Sequence, residues 1–248
     1  MGISIAVPSL DLHAVRLARY MIATKMPSGV EVIWKEYSHA LAIDKARNNI
    51  VHSFLDQEVK TDRLWMVDDD MIWDPDSVGR LYERDLDVVA ALTWTNAVPP
   101  CPTIWQDERE VDGTYFYTPA AFETLQWMID HDHNFVSNDP VVLPPSDNDL
   151  VKVDATGGAF IMIKRRVLEA IEPPWFEGDV NGFGEDFYFC RKARAAGFKV
   201  FVDRSVIVSH QPRFVLGPLT FRAFMGVTRT ATAEEKEKTY EAARKHED

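Results

Sequence analysis

The chain has 248 residues, of which 46% are hydrophobic, 11% aromatic and 27% charged. This composition supports a folded globular core and excludes a collagenous or largely disordered chain. The formal net charge is −12, so the field of the whole molecule repels polyanions and disfavours binding to duplex nucleic acid. Two cysteines, Cys101 and Cys190, are too few for a disulfide framework and favour a reducing compartment.

No targeting segment or membrane span is predicted. The apolar run Ile3–Val7 is not preceded by the basic residues of a signal peptide. No apolar stretch approaches the ~20 residues that a membrane-spanning helix needs. We therefore expect a soluble, cytoplasmic protein that is either an enzyme or a binding module.

Strands and helices alternate over the first part of the chain. The predicted strands are Ile3–Val7, Val30–Trp34, Leu64–Val67 and Val88–Leu92. The predicted helices are Asp11–Ala23, Ser38–Leu55 and a helix from Asp74 to about Arg84, whose acidic cap is followed by a proline. This alternation predicts a parallel α/β sheet.

The alternation breaks after Leu92. The region Asn96–Asp154 is rich in prolines and turn residues, and we expect one helix in it, beginning at Thr118-Pro119. The later predicted elements are a strand Ala159–Ile163, helices Arg165–Ile171 and Glu185–Ala196, and short strands Lys199–Val202 and Val206–Val208. A capping box at Thr232 predicts a charged terminal helix. We therefore expect one domain over residues 1–230 and a helix over residues 231–248.

The apolar strand Leu64–Val67 leads directly into Asp68, Asp69 and Asp70. Side chains two apart on an extended chain point the same way, so Asp68 and Asp70 can face one site together. Open α/β sheets bind ligands at the carboxyl ends of their strands. Paired carboxylates there suit Mg²⁺ or Mn²⁺, which in turn would hold a diphosphate. The alternative is a solvated acidic turn, although such a turn does not need a core strand before it.

Two later segments also combine acidic or imidazole side chains with element ends. Gly184-Glu185-Asp186 begins a helix, where acidic residues stabilise the helix dipole. One of the two carboxylates can alternatively serve as a general base. The strand Val206–Val208 leads to His210, which is either a structural residue or a metal ligand.

Two polar segments complete the candidate site. Asp44, Arg47 and Asn48 share one helix face, where Arg47 can bind a phosphate or a nucleobase, or belong to a solvated polar stripe. Gly157 and Gly158 either allow the backbone to approach a ligand closely or form a plain turn.

In their order along the chain, these motifs resemble the GT-A nucleotide-sugar glycosyltransferases, specifically the bacterial and phage branch of the family-2-like enzymes. The resemblance covers roughly Ile3–His210 and rests on Ala46-Arg47-Asn48, Asp68-x-Asp70, Gly157-Gly158-Ala159-Phe160, Gly184-Glu185-Asp186 and His210. It implies a single-domain α/β fold of the GT-A, Rossmann-like type, with a mixed sheet flanked by helices. It also implies metal-dependent transfer of a sugar from a nucleotide-diphosphate donor, with UDP favoured, to an acceptor hydroxyl.

The resemblance assigns a role to each motif. Asp68, Asp70 and His210 would bind Mn²⁺ or Mg²⁺, and Asp186 would be the base of an inverting displacement, with Glu185 orienting it or holding an acceptor hydroxyl. Donor contacts are expected from Pro8, Asp44, Arg47, Asn48, Asp68, Asp69, Gly157 and Gly158. The family often has Pro-Thr-Tyr-Asn after its first strand, whereas this chain has Pro8-Ser9-Leu10-Asp11.

Two further segments, one aromatic and one with basic residues, can also contribute to a donor site. Trp175 and Phe176 are expected either in the core or as an apolar wall beside a sugar ring. Gln211–Gly226, with Arg213 and Arg222, is a candidate lid over the diphosphate.

Other function classes stay open on the sequence. A nucleotidyltransferase also uses metal-binding aspartates beside a Rossmann-like sheet, but its glycine-rich loop is missing from Val7–Asp11. A phosphohydrolase would place Asp-x-Asp after the first strand instead of the third. A catalytically inactive sugar- or nucleotide-binding module of the same fold is the non-enzymatic alternative. The acceptor can be a glycan, a protein, a metabolite or a modified base, and neither the stereochemistry nor the oligomeric state follows from the motifs.

Overall fold

The structure is a computed structural model of the chain. It describes residues 2–7, 14–34, 42–97, 99–130, 140–146, 148–178, 184–210, 218 and 221.

The described residues form a series of strands and helices that continues to His210. The strands are β1 Gly2–Ala6, β2 Glu31–Trp34, β3 Arg63–Val67, β4 Met71–Ile72, β5 Val88–Leu92, β6 Trp105–Val111, β7 Thr114–Pro119, β8 Val141–Val142, β9 Leu150–Val153, β10 Phe160–Lys164, β11 Val200–Ile207 and β12 Ser209–His210. The helices are α1 Ala14–Ala23, α2 Ile43–Leu55, α3 Ser77–Glu83, α4 Ala121–Asp130, α5 Arg165–Ala170 and α6 Glu185–Ala195. Among the described residues, no helix is long and apolar enough to cross a bilayer.

The main sheet has the strand order β2-β1-β3-β10-β5-β11-β8, and β9 also pairs with β11. Strand β1 is parallel to β2 and β3, and β5 is parallel to β11. Strand β10 runs antiparallel between β3 and β5. Because β10 is reversed, the residues that precede it lie at the same edge as the carboxyl ends of β3 and β5.

Alternate residues of the central strands pack on opposite faces of the sheet. Trp65, Val67, Phe160 and Met162 pack with helix α3 and partly with α1. Leu64, Met66, Ile161 and Ile163 pack on the other face with α2, α5 and α6. Strands that are buried on both faces are apolar throughout, which explains the uninterrupted run before Asp68. The predicted Rossmann-like mixed sheet flanked by helices is confirmed.

The region 96–154 contains more regular structure than the sequence analysis predicts. Strands β6 and β7 form an antiparallel hairpin in which Val111 pairs with Thr114. Its two turn residues, Asp112 and Gly113, have φ angles of 50° and 78°. Positive φ at both central residues is typical of the tight hairpin turn that Asp-Gly favours. The Asp112-Gly113 dipeptide is therefore the signal that the prolines and charges of this region obscure.

Several element boundaries differ from the predictions. The helix expected from Thr118-Pro119 begins at Ala121, because Thr118 and Pro119 form the end of β7. Helix α2 begins at Ile43, since Ala42 is extended with a ψ angle of 146°. Helix α3 begins at Ser77 and not at Asp74, because Asp74 Oδ1 accepts a hydrogen bond from Asp76 N at 2.9 Å and forms a turn. The two short strands predicted near the end merge into β11, whose register shifts between Asp203 and Ile207.

Candidate functional site

A cavity of about 290 Å³ lies at the carboxyl edge of the central strands. Residues from α2, β12, the start of α6 and the segments that flank β3 and β10 line it. Those that the sequence analysis singled out are Arg47, Asp68, Gly157, Gly158, Glu185, Asp186 and His210. The structure therefore brings the distant motifs of the sequence to one place.

Backbone pairing produces this convergence. Val67 at the end of β3 pairs with Phe160 at the start of β10, and Asp68 N donates a hydrogen bond to Ala159 O at 2.9 Å. The glycines before β10 consequently lie beside the acidic triplet. In a separate two-stranded ribbon, His210 of β12 pairs with Met71 of β4. This pairing places the imidazole next to the residue that follows Asp70.

Arg47 lies at the centre of the charged groups and is only 3% exposed. Its Nη2 donates to both carboxylate oxygens of Asp68, at 3.0 and 3.2 Å. Its Nη1 lies 3.0 Å from Glu185 Oε1. Burial alone would lower the pKa of Arg47, but the carboxylates of Asp68, Glu185 and Asp186 outweigh burial and raise the pKa above its ordinary value. The guanidinium is therefore a permanent, almost completely buried positive charge at the edge of the cavity.

Asp186 is the candidate base. Its Oδ2 accepts a hydrogen bond from Gly158 N at 3.2 Å, and its Oδ1 accepts one from Phe187 N at 2.9 Å. Burial raises the pKa of Asp186 to about 6, and the neighbouring Glu185 carboxylate adds to this increase, whereas Arg47 and the two backbone donors oppose it. At neutral pH such a carboxylate is mostly ionised and holds a proton more tightly than an ordinary aspartate, as a general base requires.

Asp70 and His210 form a second charged group beside the cavity. Burial raises the pKa of Asp70 above its ordinary value, the carboxylates of Asp68 and Asp69 add to this, and His210 opposes it. His210 is 9% exposed, and its Nδ1 has no hydrogen-bond partner within the described part of the chain. Among the described residues, no three His, Cys, Asp or Glu side chains form a ready-made metal cluster.

Several other predicted site residues do not line the cavity. The Asn48 Oδ1 accepts hydrogen bonds from Trp175 N at 2.9 Å and Phe176 N at 3.2 Å. Its Nδ2 donates to Phe176 O at 2.5 Å and to Asp44 O at 2.8 Å. Asp44, Asn48, Asp69 and Asp70 are not among the described residues that line the cavity. Pro8, most of the candidate lid and the terminal helix lie outside the described residues.

Trp175 and Phe176 belong to the core, so the alternative of a sugar-binding wall is wrong for them. Both are at most 4% exposed. The Phe176 ring stacks on Phe189 at a centroid distance of 4.9 Å, and Trp175 Nε1 donates to Leu168 O at 2.8 Å.

The sequence analysis missed a neutral wall of the cavity. It consists of Thr93, Trp94, Thr95, Asn96, Thr103, Trp105 and Phe187. The Thr93 and Thr103 hydroxyls are 2.7 Å apart, and the Trp105 and Phe187 rings pack at a centroid distance of 5.4 Å. A signal was present, since Thr93 follows the apolar strand β5 just as Asp68 follows β3.

The fold and the cavity define an α/β protein with a Rossmann-like mixed sheet and a polar site at its carboxyl edge. No protein-family model matches the chain, and no curated protein sequence matches it. Among solved structures, the chain is similar to the crystal structure of A197 from STIV, with 18% identity and a TM-score of 0.52 over 88% of this chain and 91% of that one. This likeness supports the fold.

A more distant likeness is to the inositol-1-phosphate CTP transferase from T. maritima. The identity is 11% and the TM-score 0.39, over 83% of this chain and 86% of that one.

Proposed function

We propose that the protein is a metal-dependent glycosyltransferase that moves a sugar from a nucleotide-diphosphate donor, with UDP favoured, to an acceptor hydroxyl. The observation that carries the proposal is the half-buried Asp186 carboxylate, with its raised pKa, in one cavity with Asp68 and His210. An elevated proton affinity suits a base, and the separate acid–imidazole group suits a cation. A solvated acidic turn would not need either arrangement.

The residues proposed to hold the metal fit it in their chemistry. Carboxylate oxygens of Asp68 and Asp70 suit Mg²⁺ or Mn²⁺, and the buried Nδ1 of His210, which has no hydrogen-bond partner within the described residues, is a nitrogen that a divalent cation can take as a ligand. A bound divalent cation would offset the negative charge that builds up on the leaving diphosphate.

The chain's own residues perform the proton transfer and the orientation. Asp186 accepts the proton of the acceptor hydroxyl while that oxygen forms a bond to the anomeric carbon of the donor sugar. The bond between the anomeric carbon and the phosphate oxygen breaks, and the nucleoside diphosphate leaves with the electron pair. Gly158 and Phe187 backbone donors hold the base in place. A single displacement of this kind inverts the configuration.

The neutral wall supports a carbohydrate ligand. Threonine hydroxyls and aromatic faces bind sugars through hydrogen bonds and apolar contact. Among the described residues of this wall, there is no arginine or lysine that could bind a phosphate. The net charge of −12 further disfavours a polyanionic acceptor.

Donor turnover tests the proposal. The protein is incubated with a panel of UDP-sugars and Mn²⁺, and release of UDP is compared with release of pyrophosphate from UTP plus sugar phosphates. UDP release that EDTA abolishes is expected. Pyrophosphate release instead would identify a nucleotidyltransferase. If neither product were released, the binding module would be the remaining alternative.

A base variant tests the assigned role of Asp186. Asp186→Asn should lower kcat by about 10²–10⁴-fold, the range for loss of a general base, with little change in donor affinity. The matched control is Asp87→Asn, because Asp87 is a half-buried acid paired with Arg166 away from the cavity. Full activity in Asp186→Asn would remove its assigned role.

His210→Ala tests the metal site. It should weaken Mn²⁺ affinity in titration calorimetry, whereas His52→Ala, which removes an imidazole packed against Trp175, should not. Equal Mn²⁺ affinity in the two variants would reduce His210 to a structural residue. Mass spectrometry of products from candidate acceptors then identifies the acceptor.

A further inference from the structure

We propose that Arg47, which lines the cavity, acts as a positioning residue that fixes Asp68 and Glu185 in place. The inference rests on the proposed function, since it assigns Arg47 a part in the same reaction. It replaces the expectation that Arg47 binds a phosphate or a base of the donor.

The contacts of the guanidinium are to two carboxylates from different segments, although Nε and Nη1 have no hydrogen-bond partner within the described residues. One Nη group binds the Asp68 carboxylate at 3.0 and 3.2 Å, and the other lies 3.0 Å from Glu185. The side chain is 3% exposed. A planar guanidinium can serve two carboxylates at once, which a lysine ammonium cannot do with the same geometry. Arg47 therefore links the segment after β3 to the start of α6.

Gly158 encloses the guanidinium from above. A Cβ atom built on Gly158 would lie 1.8 Å from Arg47 Nη1 and 2.6 Å from its Cζ, which is far inside van der Waals contact. The Phe176 ring lies 5.8 Å from Cζ on another side. Because Gly158 N also donates to Asp186, the glycine and the arginine form one structural unit with the base.

The position of Arg47 also determines the charge balance of the cavity. Among the described lining residues, Arg47 is the only arginine or lysine, and it lies close to Asp68, Glu185 and Asp186. The groups that face Asp186 are Glu185, which raises its pKa, and Arg47, which lowers it. The nearby Cys190 thiol stays neutral because burial raises its pKa to about 12. Loss of the Arg47 charge should therefore raise the pKa of Asp186 further.

Two Arg47 variants separate charge from geometry. Arg47→Gln removes the charge, and we expect the pKa of Asp186, measured by carboxyl ¹³C NMR against Asp186→Asn, to rise, with the pH profile of kcat moving in the same direction. Arg47→Lys keeps the charge but loses one of the two carboxylate contacts. We expect Asp186 to keep a pKa near 6 while kcat falls about tenfold or more, since loss of positioning acts on the transition state.

The matched control is Arg84→Gln. Arg84 is also largely buried and paired, with its Nε 2.6 Å from Asp203 Oδ2, but its partners lie on β11 and in the segment before β9. A merely structural role for an arginine should lower Tm without altering the pH profile, and Arg84→Gln is expected to behave in that way.

A second variant covers the case in which Arg47→Gln does not fold. Gly158→Ala displaces the guanidinium without changing any charge, so kcat should fall while donor KM changes less than about threefold. The double variant with Arg47→Lys should lose less transition-state stabilisation, calculated from kcat, than the two single variants together. The reason is that both changes act on the same structural unit.

Two outcomes would overturn the inference, and both differ from failure of the proposed function. An unchanged pKa of Asp186 in Arg47→Gln would refute the coupling between the two residues. A rise in donor KM with kcat and its pH profile unchanged would make Arg47 a donor contact. The NMR titration needs no sugar transfer. A shifted pKa of Asp186 in Arg47→Gln, in a protein that turns over no donor, would therefore refute the proposed glycosyltransferase activity and support the positioning role of Arg47.

Discussion

Substitution of Asn48 by alanine tests whether this residue stabilises the fold by holding helix α2 to the backbone of Trp175 and Phe176. Its amide makes three hydrogen bonds to the backbone of Trp175 and Phe176, at 2.9, 3.2 and 2.5 Å. Each such bond contributes about 1 kcal/mol net, so their loss should lower the free energy of unfolding by about 3 kcal/mol. For a chain of this length, that corresponds to a fall in Tm of about 6–12 °C.

Urea denaturation of the ligand-free protein measures this effect. Asn49→Ala is the matched control, because Asn49 is the next residue of the same helix and is exposed. Its substitution should change the free energy of unfolding by less than about 0.5 kcal/mol. If Asn48→Ala lowered the free energy of unfolding no more than Asn49→Ala, the stabilising role of Asn48 would be refuted. The donor contact expected from the sequence would then be the better account of this residue.

Three further predictions concern stability. Because the pKa of Asp186 is raised from 3.8 to about 6, ionisation of its half-buried carboxylate lowers the stability of the fold as pH rises through this window. Asp186→Asn should therefore gain up to about 3 kcal/mol relative to wild type between pH 4 and pH 7, and a constant difference would contradict the burial of this charge. Phe160→Ala should cost about 3–5 kcal/mol in urea denaturation, since the ring is fully buried 5.2 Å from Trp65; a loss below 1 kcal/mol would mean that the core closes around the gap. Gly197→Ala should lower stability by about 1 kcal/mol because φ is 90°, whereas Gly178→Ala, also in open space, should be neutral; equal effects would refute the backbone explanation.

Much of the fold could be predicted from local patterns. The apolar runs before Asp68 and Thr93, and the helix that ends at Gly197, have their causes within a few residues, so periodicity and capping indicate them. The β6–β7 hairpin was missed because its strands carry charged and exposed side chains. Only the Asp112-Gly113 turn signals it, and that signal is weak within a proline-rich region.

The sequence indicated which residues gather at the candidate site better than it indicated what their side chains contact there. Asp68, Asp186 and His210 follow or begin regular elements, and such positions meet at the edge of a sheet. The contacts of Arg47 and Asn48 were not predictable, although the two residues are adjacent on one helix. One is enclosed by Gly158 and two carboxylates, and the other binds the backbone of Phe176.

The sequence by itself determined the local elements and the residue types at their ends, because hydrophobic periodicity, capping and turn preferences act over a few neighbouring residues. The tertiary structure alone decided that β10 runs antiparallel between β3 and β5, and thus that Gly158 lies against Arg47. It also decided the elevated pKa of Asp186, because burial and the fields of Glu185 and Arg47 combine only after distant segments have packed together.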